Sequence, residues 1–341
     1  WIPHYLFTKA HQQPPVLAFL DIKSAYDTVD RNIIWRQLHL TAPPHLCRLI
    51  QHLFDDVSIT VMQQNFQSIP FHPSTGVLQG SILSPLLYSL YINSLPSLLR
   101  IPLAISPTTP PVHALLATFT CLLYADDVAL IATPTRMRSL LSSCEQHSVS
   151  LGYCWSPGKC VIVPPNPDPT SCPTFTIYNT PIQQASSFTY LGVPFTYGGK
   201  IDRDELIRRN SRKMHQSLNV MYSLGVNASG FSRLLSTRFY QQFLRPQLEY
   251  GLAISTMPKI KIKKLDSAQD TCIRRIFDAH DKSSTMVMKH LTRTPSMLGR
   301  YDILRFKYLH RSTTLPTESL LRCCSSGKMV VKIIEDDKEV R

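Results

Sequence analysis

None of the nine cysteines stands in a CxxC or CxxCH spacing: Cys154, Cys160 and Cys172 are spread out, and Cys323 and Cys324 are adjacent. Zinc sites and disulfide frameworks both need regular spacings, so the thiols read as free, in a reducing compartment. Charged residues make up only 17% of the chain against 43% hydrophobic, which excludes a disordered polyelectrolyte and leaves a globular chain. No internal repeat is visible. The first residue is Trp1, with neither an initiator methionine nor a signal peptide, so the expectation is a fragment whose N-terminus lies further upstream. The 341 residues still suffice for two or three domain-sized units with a sizeable core.

Net charge is missing from the first part of the chain. Residues 1–199 carry nine Lys/Arg and nine Asp/Glu, and residues 200–341 carry the other 27 basic and 14 acidic residues, hence all of the +13. A neutral half beside a basic half points to a polyanion held mainly by the C-terminal half, although a merely solubilising basic surface accounts for the charge equally well. The apolar run Leu115–Ala132 is 18 residues long, the length of a minimal membrane span. Asp126 and Asp127 fall inside it, and two adjacent carboxylates at bilayer depth are very costly. The run therefore reads as a buried strand pair carrying functional acids, with no membrane partner.

Residues 16–20 (VLAFL) predict a buried strand that ends at Asp21. Asp27 and Asp30 precede IIWRQLHL as helix-start acids, and Pro43-Pro44 stops that helix. A helix over 45–54, a strand over 57–62 and a glycine-flanked turn over 76–80 follow, and then an apolar helix begins with Ser84 as N-cap and Pro85 in its first turn. The proline-rich stretch 101–114 reads as a loop. Apolar runs 119–124 and 128–132 flank the two acids, the pattern of a β-hairpin whose turn is the acidic pair. A helix over 135–151, strands over 160–163 and 174–178, and a strand and turn over 188–195 come next. From about 203 the period becomes helical, over 203–224, 231–250, 259–279 and 299–312. The stretch from about 325 carries no motif.

Tyr124-Ala125-Asp126-Asp127 is by itself compatible with an ordinary turn. Two acids there repel unless a cation lies between them, and carboxylate oxygens suit Mg²⁺. Asp21, 105 residues upstream of Asp126, also ends an apolar strand. If the two strands are sheet neighbours, three carboxylates converge, which is what a two-metal site for phosphoryl transfer needs.

The segments FLDIKSAYDTVDR (19–31), GVLQGSILSP (76–85), LLYADDVALIA (122–132), SPGKCVIV (156–163) and YLGVP (190–194) resemble, in order, motifs A to E of reverse transcriptases, in the manner of non-LTR (LINE-like) retrotransposons. The resemblance covers residues 16–195 strongly. It continues more weakly through LRPQLEYG (244–251) and KLDSAQDTCIRRIF (264–277). It implies an α+β right-hand polymerase palm, an antiparallel sheet backed by helices. The implied divisions are a palm start at 1–31, partial fingers at 32–75, palm at 76–200, a basic helical thumb at 201–320 and a tail of unknown structure at 321–341.

The resemblance also assigns roles. Asp21, Asp126 and Asp127 match the metal-binding aspartates, and Ile22 would add its backbone carbonyl. Two Mg²⁺ ions are implied, with Mn²⁺ as a substitute. Tyr26 matches the steric gate that crowds a 2′-hydroxyl, although an ordinary core tyrosine is the alternative. Gln79 and Gly80 match the motif B pair lining the nucleotide and template pocket. Lys159 matches the motif D lysine, a proton donor or charge stabiliser at departing pyrophosphate, and could equally be a solvated surface lysine. Leu191 and Gly192 match the turn that positions the primer end. The implied partners are an RNA template, a DNA primer and deoxynucleoside triphosphates, and the implied location is intracellular and nuclear. Oligomeric state is not legible.

One departure stands out. Only twenty residues precede Asp21, with one Lys and no Arg, whereas the family carries basic fingers there, and neither an endonuclease domain nor a CCHC knuckle is visible. Besides an RNA-directed DNA polymerase, two alternatives therefore stay in view. One is a catalytically inactive nucleic-acid-binding remnant. The other is an RNA-directed RNA polymerase, against which Tyr26 argues.

Overall fold

The computed structural model describes residues 7–8, 11, 13–100, 119–168, 170, 172–316, 319 and 321–322. The expected loop at 101–114 and the motif-free stretch from about 325 lie outside the described residues. Two compact units emerge: one holds the described residues up to Phe188 together with Tyr197–Gly199, and the other holds Thr189–Thr196 and the residues from Lys200 onward.

The first unit is α+β and is built on strand Val16–Leu20, all five of whose residues are buried. That strand is central because its residues have no polar face to give to water. It pairs antiparallel with Asp127–Ala132 on one side and with Val161–Val163 on the other. Cys121–Tyr124 completes the hairpin with Asp127–Ala132. Gln183–Gln184 adds a short parallel strand at the far edge, so the sheet is antiparallel except for that last pair. Helix Pro134–Leu151 packs behind the sheet through Met137, Leu140, Leu141 and Cys144, all buried. On the other side Phe19 stacks on Phe188, with ring centroids 4.5 Å apart.

Local chemistry fixes the helices. Asp30 caps helix Arg31–Thr41 by accepting the Asn32 amide at 2.9 Å, and Pro44 opens the next helix, Pro44–Asp55. Asp27 lies before that cap and takes no part in it. The expected strand at 57–62 shrinks to the pair Met62–Gln63 and Phe66–Gln67 plus a bridge between Ile59 and Phe71. Val61 and Met62 are exposed, and Val57 and Ile59 are only half-buried, so no core holds the segment extended. The helix after Gly80 is two helices, Ser84–Ile92 and Ser94–Leu99. Pro96 can give no amide hydrogen to Ile92, which breaks the run at Asn93. Ser84 is not the N-cap: its hydroxyl instead donates to the Leu78 carbonyl at 2.6 Å, pinning the turn that precedes the helix.

A buried arginine ties these pieces together. Arg31 is 5% exposed and donates Nε to the Gly76 carbonyl at 2.7 Å, with Thr75 O at 3.3 Å and Asp55 Oδ1 at 3.4 Å. Arg31→Met is expected to cost about 2–4 kcal/mol, because it leaves the buried Gly76 carbonyl without its donor and the half-exposed Asp55 without its partner. Urea unfolding of the variant checks this; a loss under about 0.5 kcal/mol would mean that Arg31 is incidental.

The second unit is helical. Arg203–Ser223, Arg233–Phe239, Arg245–Glu249, Lys259–Phe277, Met286–Leu291 and Met297–Thr314 enclose a core that includes Leu206, Met214, Leu218, Tyr240, Leu244, Leu265 and Ile273. A π-helical turn, Tyr240–Leu244, interrupts the expected 231–250 helix. Glu249, only 10% exposed, receives both ends of the Arg300 guanidinium, at 2.6 and 2.9 Å. The described cysteines are all free. Among the described residues no helix is long and apolar enough to cross a membrane.

Candidate active site

Strand register brings the acids together. Leu20 pairs with Val128 and Tyr124 pairs with Asp127, so continuing the first register by one step sets Asp21 opposite Asp127. The hairpin turn is therefore Ala125-Asp126, with Ala125 at φ 53°, and Asp127 is already the first residue of its strand. The acids do meet at one sheet edge, but only one of the expected pair sits in the turn.

The carboxylates feel one another. The Asp127 carboxyl is pushed above its ordinary range, first by burial and then by the charges of Asp126 and Asp21. Among the described residues Asp21 Oδ2 is shielded from water and accepts no hydrogen bond; Lys159 Nζ lies 3.5 Å from it as an ion pair. Among the described residues no three His, Cys, Asp or Glu side chains are placed closely enough to hold a metal ion as they stand. Three like charges share an edge here and do not form a finished cage.

Ile22 is buried and bridges Trp155. The hydrogen bonds of that bridge use the neighbours: Ser156 N donates to Asp21 O at 2.8 Å and Lys23 N to Cys154 O at 2.9 Å. Backbone groups alternate along an extended chain, so the Ile22 carbonyl faces away from Trp155, toward the side of the acidic hairpin. Lys159, 71% exposed at its side chain, comes from the turn just before strand Val161–Val163.

Tyr26 stands beside the acids. Burial raises its phenol pKa, and the charge of Asp126 raises it further. Its ring lies flat on Tyr88, with centroids 4.9 Å apart and planes 13° apart. Tyr88 is fully buried, its hydroxyl has no hydrogen-bond partner among the described residues, and burial followed by the Asp126 charge pushes its phenol far up. Tyr26 thus rests against a wall that cannot yield. Sequence reasoning missed Tyr88; the signal was its place on the inward face of SPLLYSLY, four residues after Ser84.

The segment after Tyr26 is locked to the motif B turn. Val77 N donates to Tyr26 O at 2.7 Å, and Gly76 N donates to Val29 O at 2.8 Å. A Cβ on Gly76, which has φ +83°, would come within 2.8 Å of Asp27 O, so only glycine fits. Gln79 is exposed and donates Nε2 to Asp27 Oδ1 at 3.1 Å. Asp27, expected as a helix-start acid, is in fact the partner of Gln79 and fixes which end of its amide faces outward. Gly80, at φ +92°, has open space around it. Leu191 and Gly192 belong to the second unit, where both residues have positive φ, 46° and 77°.

The family model described as "Reverse transcriptase (RNA-dependent DNA polymerase)" matches residues 4–195. The chain is 24% identical over 331 residues to the RNA-directed DNA polymerase from mobile element jockey of Drosophila melanogaster, covering 92% of this chain and 34% of that protein. It is 26% identical over 273 residues to the probable RNA-directed DNA polymerase from transposon BS of the same fly, covering 76% of this chain and 28% of that protein. It thus spans about a third of the length of these relatives. Among solved structures, a telomerase from Candida tropicalis in complex with a telomeric RNA fragment superposes with a TM-score of 0.45 at 14% identity, over 99% of this chain and 51% of that one.

Proposed function

The chain belongs to the reverse transcriptase (RNA-dependent DNA polymerase) family, of the non-LTR retrotransposon kind, and from that premise we propose that it extends a primer 3′-hydroxyl on an RNA template with deoxynucleoside triphosphates. The observation that carries the proposal is the meeting of Asp21, Asp126 and Asp127 at one sheet edge, with Tyr26 and Lys159 beside them.

Reverse transcriptases in general work with divalent metal ions. The donor set fits hard cations: it is all oxygen, Asp21 Oδ2 is shielded without a hydrogen bond, and Asp127 is pressed by its neighbours' charge. Asp21, Asp126, Asp127 and the Ile22 carbonyl would hold two Mg²⁺, or Mn²⁺. Bound there, the ions supply activation of the attacking hydroxyl and stabilisation of the leaving pyrophosphate.

The chain's own residues do the rest. The Tyr26 ring, backed by Tyr88, closes the space that a 2′-hydroxyl needs. Gln79, with its amide nitrogen committed to Asp27, offers its carbonyl oxygen to the nucleotide and template pocket. Lys159 holds an ammonium beside Asp21, within reach of a departing pyrophosphate as proton donor or counter-charge. We assign the first unit to palm and partial fingers. The second serves as a basic thumb whose helices hold backbone phosphates without reading sequence.

Two tests follow. The full-length protein on an RNA template with a DNA primer should incorporate dTTP well and UTP poorly; UTP preferred over dTTP would identify an RNA polymerase, and incorporation of neither an inactive remnant. Asp27→Ala should raise the half-saturating dTTP concentration about fivefold, the worth of one hydrogen bond, with little change in thermal stability. An unchanged half-saturation would mean that Asp27 does not orient Gln79.

A further inference from the structure

Leu191-Gly192 is the tip of the hairpin made by strands Ser187–Tyr190 and Val193–Thr196. Two consecutive residues at positive φ match a tight hairpin turn, but leucine in that region is sterically disfavoured and persists only where its surroundings hold it. The holder is Tyr250. Its hydroxyl donates to the Leu191 carbonyl at 2.6 Å. Its ring lies against Gly192, where an added Cβ would meet Tyr250 Cε1 at 3.0 Å.

Tyr250 is itself fixed from behind. Asn210, 4% exposed, donates Nδ2 to the carbonyls of Leu248 at 3.1 Å and Tyr250 at 2.8 Å. The next residue, Gly251, packs on Leu206 and Val193. One strand of the hairpin is tied as well, because Arg209 donates to the Thr189 hydroxyl. Tyr250 remains 52% exposed and Leu191 38%, so ring and turn reach the surface together.

We propose that Tyr250 is a positioning residue for the Leu191-Gly192 turn, and through that turn for the primer strand in the primer–template duplex. This rests on the polymerase reading above. An unsupported turn with leucine at positive φ samples other conformations; the phenol hydroxyl selects one, and the ring blocks the space into which Gly192 would relax.

The test compares the full-length protein with its Tyr250→Phe variant, which keeps the ring and loses only the hydroxyl. Binding of a fluorescein-labelled DNA primer on an RNA template is followed by anisotropy, and dTTP half-saturation is measured at saturating duplex. Tyr250→Phe should weaken duplex binding about fivefold, the share of one ordinary hydrogen bond, and leave dTTP half-saturation within about twofold. Equal duplex affinity in the two proteins overturns the proposal, and so does an equal loss in duplex binding and dTTP half-saturation, which is what general loosening produces. Gly192→Ala gives an independent check, since it should weaken duplex binding more when Tyr250 is present than in a Tyr250→Ala background; equal losses in both overturn the ring contact. If the wild-type protein binds the duplex but extends nothing, the polymerase reading fails while the anisotropy comparison still decides the role of Tyr250. If it binds no duplex, both are overturned.

Discussion

Asp127→Asn is expected to lower nucleotide incorporation about a thousandfold or more and, in the same protein, to raise the melting temperature. The two effects have one cause. Asp127 is partly buried and is held near Asp126 and Asp21, so its carboxyl binds a proton more tightly in the folded protein than in the unfolded chain. The proton's contribution to stability is present at low pH and is lost as pH rises through the folded value. A neutral asparagine escapes that loss. In chelator-containing buffer the stability gap between the variant and wild type should therefore be small near about pH 3.5 and widen toward about pH 7. Thermal melts across that range check it. A variant that is less stable than wild type at neutral pH, or equally active, would mean that the three carboxylates do not form one site.

Tyr26→Ala is expected to raise the preference for UTP relative to dTTP by about a hundredfold, the scale on which steric pockets discriminate. Tyr26→Phe should leave it unchanged, because the gate is the ring and not the hydroxyl. The ring cannot swing back, since Tyr88 lies flat beneath it at 4.9 Å and is itself fully buried. Competition between labelled UTP and dTTP on one RNA template measures the ratio. No change in Tyr26→Ala would return Tyr26 to the status of a core residue.

Much of the site was legible because it lies at the ends of strongly patterned elements. The run Val16–Leu20 could only be a buried strand, and its last residue led to Asp21. The apolar runs around Asp126 and Asp127 could only be a hairpin. Which residues make its turn was not legible: acids favour turns, which places both there on local grounds, but the Tyr124–Asp127 pairing sets the register. The cap at Asp30 was readable from its place before a helix, and the same logic misplaced Asp27. Its partner Gln79 is 52 residues away, and periodicity carries no information about such a contact. Tyr88 under Tyr26 and Tyr250 on Leu191 were hidden for the same reason. Ser84 looked like a cap because serine before proline so often is one, yet its hydroxyl found a nearer acceptor in Leu78.

The most direct measurement is dTTP incorporation by the full-length protein on an RNA template with a DNA primer, run beside its Asp126→Ala/Asp127→Ala variant at equal duplex occupancy. Extension by the wild type and its loss in the double variant, with duplex binding retained, is the expected result. Extension that survives the double substitution would contradict the assignment of polymerisation to the Asp21, Asp126 and Asp127 edge.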